Sequence, residues 1–455
     1  MGLHKFDDDT VKLAREILDF VLFRLEEDPP ALGSTKSPQE LLPLFKDVIT
    51  AKGLGGEKAF DFFKQVVEPA TISTDHPRYL AFVTNAPANA ASLFDVVVSA
   101  CSMYGGTWLE GAGVVAAENQ ALRYIMDVIG YEQSAAGVFV SGGTAANLSA
   151  LIAARHWFRR VNPNMERERL AIACAPSAHS SIRHAAMAMD VDIFNVEGDE
   201  FNRLTASNLQ KALDELSPSD RSRIFAIAAT AGATNTGYVD DLKHTGKIAW
   251  DNEIWFHVDG AYGGAAMLCD ETASLFDGVI QADSFVVDPH KWLFSPYDCA
   301  ALIYKDPLDA RLAHSQHAEY LDPVTDTQEF NPSDYAHHLT RRARGLPLWF
   351  TLAVHGTDAF KQAITTCIDT TKAGATYIEG CSHVELAIEP QLSVLLIRRK
   401  NWNSEQYYSW CDAMLEKEYA FVVPTSVNGE TLLRLCITNP TTTLDDLKLI
   451  IDAMA

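Results

Sequence analysis

Four polar clusters in this sequence each follow a short apolar run, and their side chains suit complementary parts of one chemistry. The run SFVV (284–287) ends in Asp288-Pro289-His290-Lys291-Trp292. Lys291 is followed by Trp292, Leu293 and Phe294. Burial among such neighbours disfavours an ammonium, so this setting predicts a lowered Lys291 pKa and an amine able to attack an aldehyde. The run IWFHV (254–258) ends in Asp259, and Gly260-Ala261-Tyr262-Gly263-Gly264 after it leaves room for a flat group. By itself an aspartate there reads equally as a helix cap or a turn former. The run GVFV (137–140) leads into Ser141-Gly142-Gly143-Thr144-Ala145-Ala146-Asn147 and then an apolar helix. Small residues at a helix N-terminus present backbone N–H groups to a phosphate. No Walker lysine is present, which disfavours a nucleoside triphosphate. The run LAIACA (170–175) is followed by Ala178-His179-Ser180-Ser181, where a lone histidine also fits a structural cap.

These clusters need an element that brings them to one edge. The runs, with AALIY (300–304) and IFAIAA (224–229), alternate with helical stretches between about residues 135 and 305. Runs apolar on both faces and separated by helices predict an α/β fold with a largely parallel, doubly covered sheet. Ligands of such sheets collect at the carboxyl ends of the strands. A phosphate nest, an aspartate, a histidine and a lysine at that edge suit pyridoxal 5′-phosphate. After about residue 350, VELAI (384–388), SVLLI (393–397) and TLLRLCI (431–437) alternate with helices near 404–418 and 444–454, the last capped by Thr443 with Asp446 three residues on. A smaller α+β domain is expected there. Residues 8–27 carry two apolar stripes, Val11, Ala14, Leu18, Val21 and Leu25 on one and Leu13, Ile17 and Phe20 on another. Such a helix either spans a core or lies wedged between subunits.

Composition narrows the partners. The 455 residues carry a formal net charge of −23, which argues against nucleic acid and against an anionic membrane surface. No apolar run approaches the length of a spanning helix, and MGLHKFDDDT lacks a signal pattern, so a soluble, cytoplasmic protein is expected. The eight cysteines form no C-x-x-C pair and read as reduced core residues. Histidines 314, 317, 337 and 338 lie in a polar stretch without ligand spacing; they read as solvated loop residues, and no metal is expected.

The segments SGGTAAN, SAHSSIRHAA, TAGATNTG, HVDGAYGG and DSFVVDPHKW together resemble the group II pyridoxal-phosphate decarboxylases, which act on aromatic amino acids, glutamate, cysteine sulfinate or histidine. The resemblance runs from about residue 75 to the C-terminus and includes HPRYLAFV (76–83), similar to the family's active-site entry segment. It implies the pyridoxal-phosphate-dependent transferase fold of type I. An N-terminal helical segment (1–85) would pack on a partner subunit, ahead of a large cofactor-binding domain (86–348) and a small C-terminal domain (349–455). By resemblance, Lys291 carries the cofactor, Asp259 pairs with the pyridine nitrogen, Ala261 packs under the ring and His179 stacks on its other face. Gly143, Thr144 and Asp288 match phosphate-binding positions, Thr234 matches the second Thr of a G-T-T segment, and His290 precedes the lysine as in the family. Asp288 departs from the Asn that aromatic decarboxylases often carry, and a carboxylate beside a phosphate is repulsive unless it holds a bridging donor. Tyr320 matches a loop tyrosine that protonates Cα after decarboxylation.

The resemblance also implies a side-chain pocket from Thr74, Phe82, Val83 and Thr84, with Tyr104 and Gly106 supplied by the second subunit of a homodimer. Gly106 would open space there, with Phe82 and Tyr104 keeping the pocket partly apolar. An L-amino acid is the expected substrate, an aromatic one first. The alternatives are an acidic or other small amino acid, aldehyde synthase or aminotransferase activity on the same scaffold, or a pyridoxal-phosphate-binding protein without turnover. Arg434 resembles an arginine that binds a carboxylate in glutamate decarboxylases, and a purely structural pairing fits it equally.

Overall fold

The protein is described by a computed structural model covering residues 3–316 and 329–455. Seven strands form the main sheet: β1 (Ala136–Val140), β2 (Ala171–Cys174), β3 (Asp192–Asn195), β4 (Ile224–Thr230), β5 (Trp255–Asp259), β6 (Ser284–Val287) and β7 (Ala300–Tyr304). Their spatial order is β1-β7-β6-β5-β4-β2-β3. Only β7 runs against its neighbours; it pairs antiparallel with both β1 and β6. Since β7 opposes both, β1 runs with β6, and the carboxyl ends of β1, β2, β4, β5 and β6 share one edge. Strands β4 to β7 are buried throughout, as their unbroken apolar runs predict. The polar DIFN of β3, at the sheet margin, gave no such signal.

A second sheet of four antiparallel strands follows, in the order β10-β11-β9-β8, with β8 (Val384–Ile388), β9 (Val394–Arg399), β10 (Val423–Val427) and β11 (Glu430–Cys436). The expected helices are Ser404–Glu416 and Leu444–Asp452, the latter with the Thr443/Asp446 capping box. One apolar core runs from the main sheet through Trp292 and Leu392 into β9 and β11. The entry segment is stitched to this second unit: the Leu80 and Ala81 N–H groups both donate to the Phe421 carbonyl, and Cys436 N–H donates to Leu80.

Helix Asp8–Glu26 forms as expected, but none of its residues is buried. Its apolar side chains Ile17, Leu18, Leu22 and Phe23 are exposed, so it does not span the core of its own chain. All eight cysteines are free, and only Cys101 is exposed. His314 is not a solvated loop residue: it ends helix Leu308–His314, is buried, and bonds through Nε2 to the Ser149 carbonyl, 3.0 Å away. Burial pushes its pKa down to about 4. Among the described residues no cluster of His, Cys, Asp or Glu has the arrangement of a metal site, and no helix is long and apolar enough to cross a membrane.

Candidate active site

At the shared carboxyl edge lies a cavity of about 240 Å3. It is lined by Gly143 and Thr144 after β1, His179 after β2, Thr230 and Thr234 from the end of β4 onward, Asp259 at the end of β5 and Ala261 after it, and Asp288, His290 and Lys291 after β6. Sequence positions spread over about 150 residues thus meet because each follows a strand of the same polarity. Helix Gly143–Val161 follows Gly142, which has no side chain to cap it, so its first-turn N–H groups face the cavity, where Asp288 Oδ2 takes that of Gly143.

The lysine departs from expectation. Burial does act to lower its pKa, but Asp288 Oδ2 lies 2.9 Å from Lys291 Nζ, and with Asp259 it more than offsets burial, so the net shift is upward. In this state Lys291 is an ammonium. Asp288 is 1% exposed and also accepts a hydrogen bond from Gly143 N–H at 3.3 Å, while its Oδ1 has no partner. His290 accepts from Cys299 N–H at 2.9 Å through Nδ1 and holds Nε2 3.6 Å from Asp288 Oδ2.

Behind Asp259 runs a hydrogen-bonded chain that sequence reasoning missed. Asp259 accepts from Ala261 N–H at 3.1 Å and from Asn147 Nδ2 at 2.8 Å. A carboxylate only accepts, which fixes the Asn147 amide and turns its Oδ1 to His257 Nε2 at 2.9 Å. His257 is fully buried, its pKa is pushed down to about 4, and its one ring proton therefore sits on Nε2. Its bare Nδ1 accepts from Ser284 Oγ at 2.8 Å, and Ser284 in turn accepts from Trp255 Nε1, a donor only, at 2.8 Å. On the other side Asn147 Nδ2 donates to Ser181 Oγ at 2.8 Å. The Ser181 hydroxyl donates to His179 Nδ1 at 2.8 Å, and the Ser181 N–H donates to the same atom at 3.3 Å. His179 thus carries its proton on Nε2. The signal available in the sequence was two polar residues, His257 and Ser284, inside strands otherwise apolar on both faces; they are direct partners in the β5–β6 register.

The expected side-chain pocket is only partly near this cavity, and none of its residues lines it. Phe82 is 57% exposed, packs its ring 5.9 Å from that of Phe421, and its carbonyl accepts from Arg434 Nη1. Arg434 Nε also donates to the cavity residue Thr234, at the carbonyl, across 2.7 Å; its buried Nη2 has no partner. Thr84 faces inward, with its hydroxyl donating to the Tyr79 carbonyl at 2.9 Å. Gly106 does not open empty space: the Tyr104 ring of the same chain fills the place where a Cβ would project. Tyr320 lies outside the described residues.

The lining fits pyridoxal phosphate on its own geometry. Gly143 brings backbone under the nest so closely that a Cβ there would meet Asp288 and Ala261 at 3.1–3.3 Å. Gly232, at φ +105°, has room for no side chain because Gly263 backbone lies 2.7 Å from the would-be Cβ. An uncapped helix N-terminus, a lysine and a hydrogen-bonded carboxylate complete the donor and acceptor set that such a cofactor uses.

Comparison with known proteins agrees. The family model of the pyridoxal-dependent decarboxylase conserved domain matches residues 38–400. An aromatic-L-amino-acid decarboxylase of Bacillus atrophaeus is 29% identical over 414 residues, spanning 88% of this chain and 85% of the relative. An L-2,4-diaminobutyrate decarboxylase of Acinetobacter baumannii is 25% identical over 87% of this chain and 83% of its own. In fold, the crystal structure of Oryza sativa TDC with PLP and tryptamine superposes with a TM-score of 0.91 at 21% identity, covering 100% of this chain and 98% of that one. The chain therefore belongs to the pyridoxal-dependent decarboxylases, enzymes that use pyridoxal phosphate to remove the carboxyl group of an amino acid.

Proposed function

We propose that this enzyme decarboxylates an aromatic L-amino acid to its amine and CO2. The observation that carries this reading is the state of the two carboxylates in the cavity. Asp259 already accepts from Asn147 and Ala261, and Asp288 already pairs with Lys291 and Gly143. Among the lining residues this leaves only the buried Asp288 Oδ1 as a carboxylate oxygen without a hydrogen-bond partner, a poor place for the second substrate ammonium that a diamino acid would bring and that burial would penalise. The exposed Phe82 ring against Phe421 offers an apolar mouth instead. A second reading, an acidic side chain, draws on the unpartnered Arg434 Nη2 beside Phe82 and Thr234.

When bound, pyridoxal phosphate supplies an electron sink for the pair released as the Cα–carboxylate bond breaks. On this reading Lys291 carries it, Gly143, Thr144 and Asp288 hold its phosphate, Asp259 faces its pyridine nitrogen, and Ala261 and His179 bound its flat faces, with Thr234 and His290 around the rim. The Ser181–Asn147 chain keeps the His179 proton on Nε2, a donor available to the substrate carboxylate. Tyr320 is the proposed proton donor to Cα.

A homodimer completes the reading, with Tyr104 and Gly106 supplied across the interface to join Val83 in side-chain selection. In support, Leu93, Val96, Val97 and Leu109 are exposed beside an apolar recess lined by Phe94, Met103, Leu346 and Trp349, and helix Asp8–Glu26 is uncovered. Free, mostly buried cysteines fit a reducing, cytoplasmic setting. The test is product analysis by mass spectrometry after the loaded enzyme meets a mixture of L-amino acids. An aromatic amine is expected; a product of diaminobutyrate or glutamate would replace the aromatic reading, and aldehydes or keto acids would replace simple decarboxylation.

A further inference from the structure

Strand β11 carries an arginine into the seam between its own sheet and the main one. Arg434 is 3% exposed, and its guanidinium donates to two backbone carbonyls from segments far apart in sequence. Nε reaches Thr234, which lines the cavity, at 2.7 Å. Nη1 reaches Phe82, at the apolar mouth offered to the substrate side chain. Among the described residues its hydrogen-bond partners include no carboxylate, and the buried Nη2 has no partner. The Cys436 thiol beside it is kept neutral by burial. A cation buried on these terms adds little to stability that an apolar side chain could not supply. What the guanidinium adds is direction, because its planar fork fixes two N–H groups at a set angle, which a lysine cannot do.

The mouth needs such a hold. Phe82 has φ +52°, a left-handed conformation disfavoured for a residue with a Cβ. Burial does not impose it, since Phe82 is 57% exposed. Strand β11 and the residues just after it grip this segment at alternate positions instead. Arg434 holds the Phe82 carbonyl, Cys436 N–H donates to the Leu80 carbonyl at 2.9 Å, and the Thr438 hydroxyl donates to the Thr84 carbonyl at 3.0 Å. Through Nε, Arg434 extends the same grip to the cavity side. The turn at Thr234 follows Gly232, pressed on Gly263, and closes on itself through Gly237 N–H to Ala233 and Ala233 N–H to Tyr238. Arg434 ties that turn to β11.

On the proposed reading, in which Phe82 faces the substrate side chain and Thr234 the cofactor, we infer that Arg434 is a positioning residue for the decarboxylation. It touches neither the substrate nor the reacting atoms, and it sets the distance and direction between the mouth at Phe82 and the turn at Thr234. A substrate side chain must rest at the mouth while its Cα reaches the cofactor. Loosening the bridge therefore weakens the binding of both, while the bond-breaking step, served by groups the bridge does not hold, keeps its rate. A direct ligand for an acidic side chain would behave differently: its loss would fall on acidic substrates alone and leave both segments in place.

The test compares the full-length wild type with Arg434→Met and Arg434→Lys. Hydrogen–deuterium exchange at saturating pyridoxal phosphate should become about tenfold faster in Arg434→Met, both in peptides covering residues 79–84 and in peptides covering 232–238. The dissociation constant for pyridoxal phosphate, read by its absorbance, and the KM of an aromatic amino acid should each rise about tenfold, with kcat within about twofold. Arg434→Lys should restore one segment at most. Unchanged exchange at either segment overturns the inference, as does a loss confined to acidic substrates or full restoration by lysine. A lowered Tm with both constants unchanged makes Arg434 purely structural and also overturns it. Should Arg434→Met not fold, the same readouts on Arg434→Lys decide. A wild type inactive on aromatic amino acids refutes the proposed substrate instead; KM is then read with the amino acid it does use, and if it uses none the exchange rates alone decide.

Discussion

Asn147 makes three side-chain hydrogen bonds, to His257, Ser181 and Asp259, and among the described residues no other joins both histidines to the carboxylate. Asn147→Ala should leave three buried groups short of a partner and destabilise the fold by about 1–3 kcal/mol in urea titrations. It should also shift the histidine tautomers seen by 15N NMR, with His179 gaining proton density on Nδ1. Lys291→Ala should fold normally by circular dichroism and lose turnover completely, since no other lining residue offers an amine. Lys291, Asp259, His179 and Gly143 were legible because each is a polar or special residue directly after an apolar run. The chain behind them was not, since it exists only once β5 and β6 lie in register and helix Gly143–Val161 crosses them. The protonation of Lys291 was misread for a related reason. The residues that follow it in sequence are apolar, but its neighbour in space is Asp288, three residues back across a turn.

At the level of elements, helix Trp108–Ile129 is locked to the segment before helix Leu346–His355 by a buried ion pair. Glu118 receives Arg341 at 2.6 and 3.0 Å and Gly345 N–H at 2.8 Å, while Arg341 also donates to the Gly105 carbonyl. Glu118→Ala leaves the Arg341 cation buried, and a loss of about 3–5 kcal/mol is expected, read as a lowered Tm. Gly232→Ala combines a left-handed φ with contact to Gly263 backbone and should cost about 1–3 kcal/mol while weakening cofactor binding. The largely parallel main sheet and the smaller α+β unit after it followed from the apolar runs, whereas β3 and β10 are polar or half-buried and carried no periodic signal.

For the molecule as a whole, acid sensitivity should come chiefly from three buried histidines and the half-buried His338. Burial pushes His76, His257 and His314 down to about 4 and His338 to about 3. These groups take up protons in the unfolded chain near pH 6.5 but not in the fold, so stability falls as pH drops from 6.5 toward 4. Burial raises Asp240 to about 7 and Asp283 to about 6, and these act in the opposite sense, since in this window the fold holds protons that the unfolded chain has released. Near pH 5.5 the unfolded state keeps an excess of about two protons, a slope of roughly 3 kcal/mol per pH unit. Urea midpoints measured from pH 7 to 5 should decline accordingly; a flat profile would refute the buried, neutral state of these histidines.

The chain from Trp255 to His179 also has a history written into its direction. Every member is oriented by the one before it, from an indole that can only give a proton to a ring nitrogen that can only receive one. A replacement that reverses one link strands its neighbours, so drift at these six positions is expected to proceed in concert or not at all. In a saturation library at Ser284, threonine alone should survive beside serine, because it alone both gives and receives at that size. The same argument makes Asn147→Asp lethal to the chain while changing a single atom's chemistry, a narrow passage that neutral evolution would rarely cross.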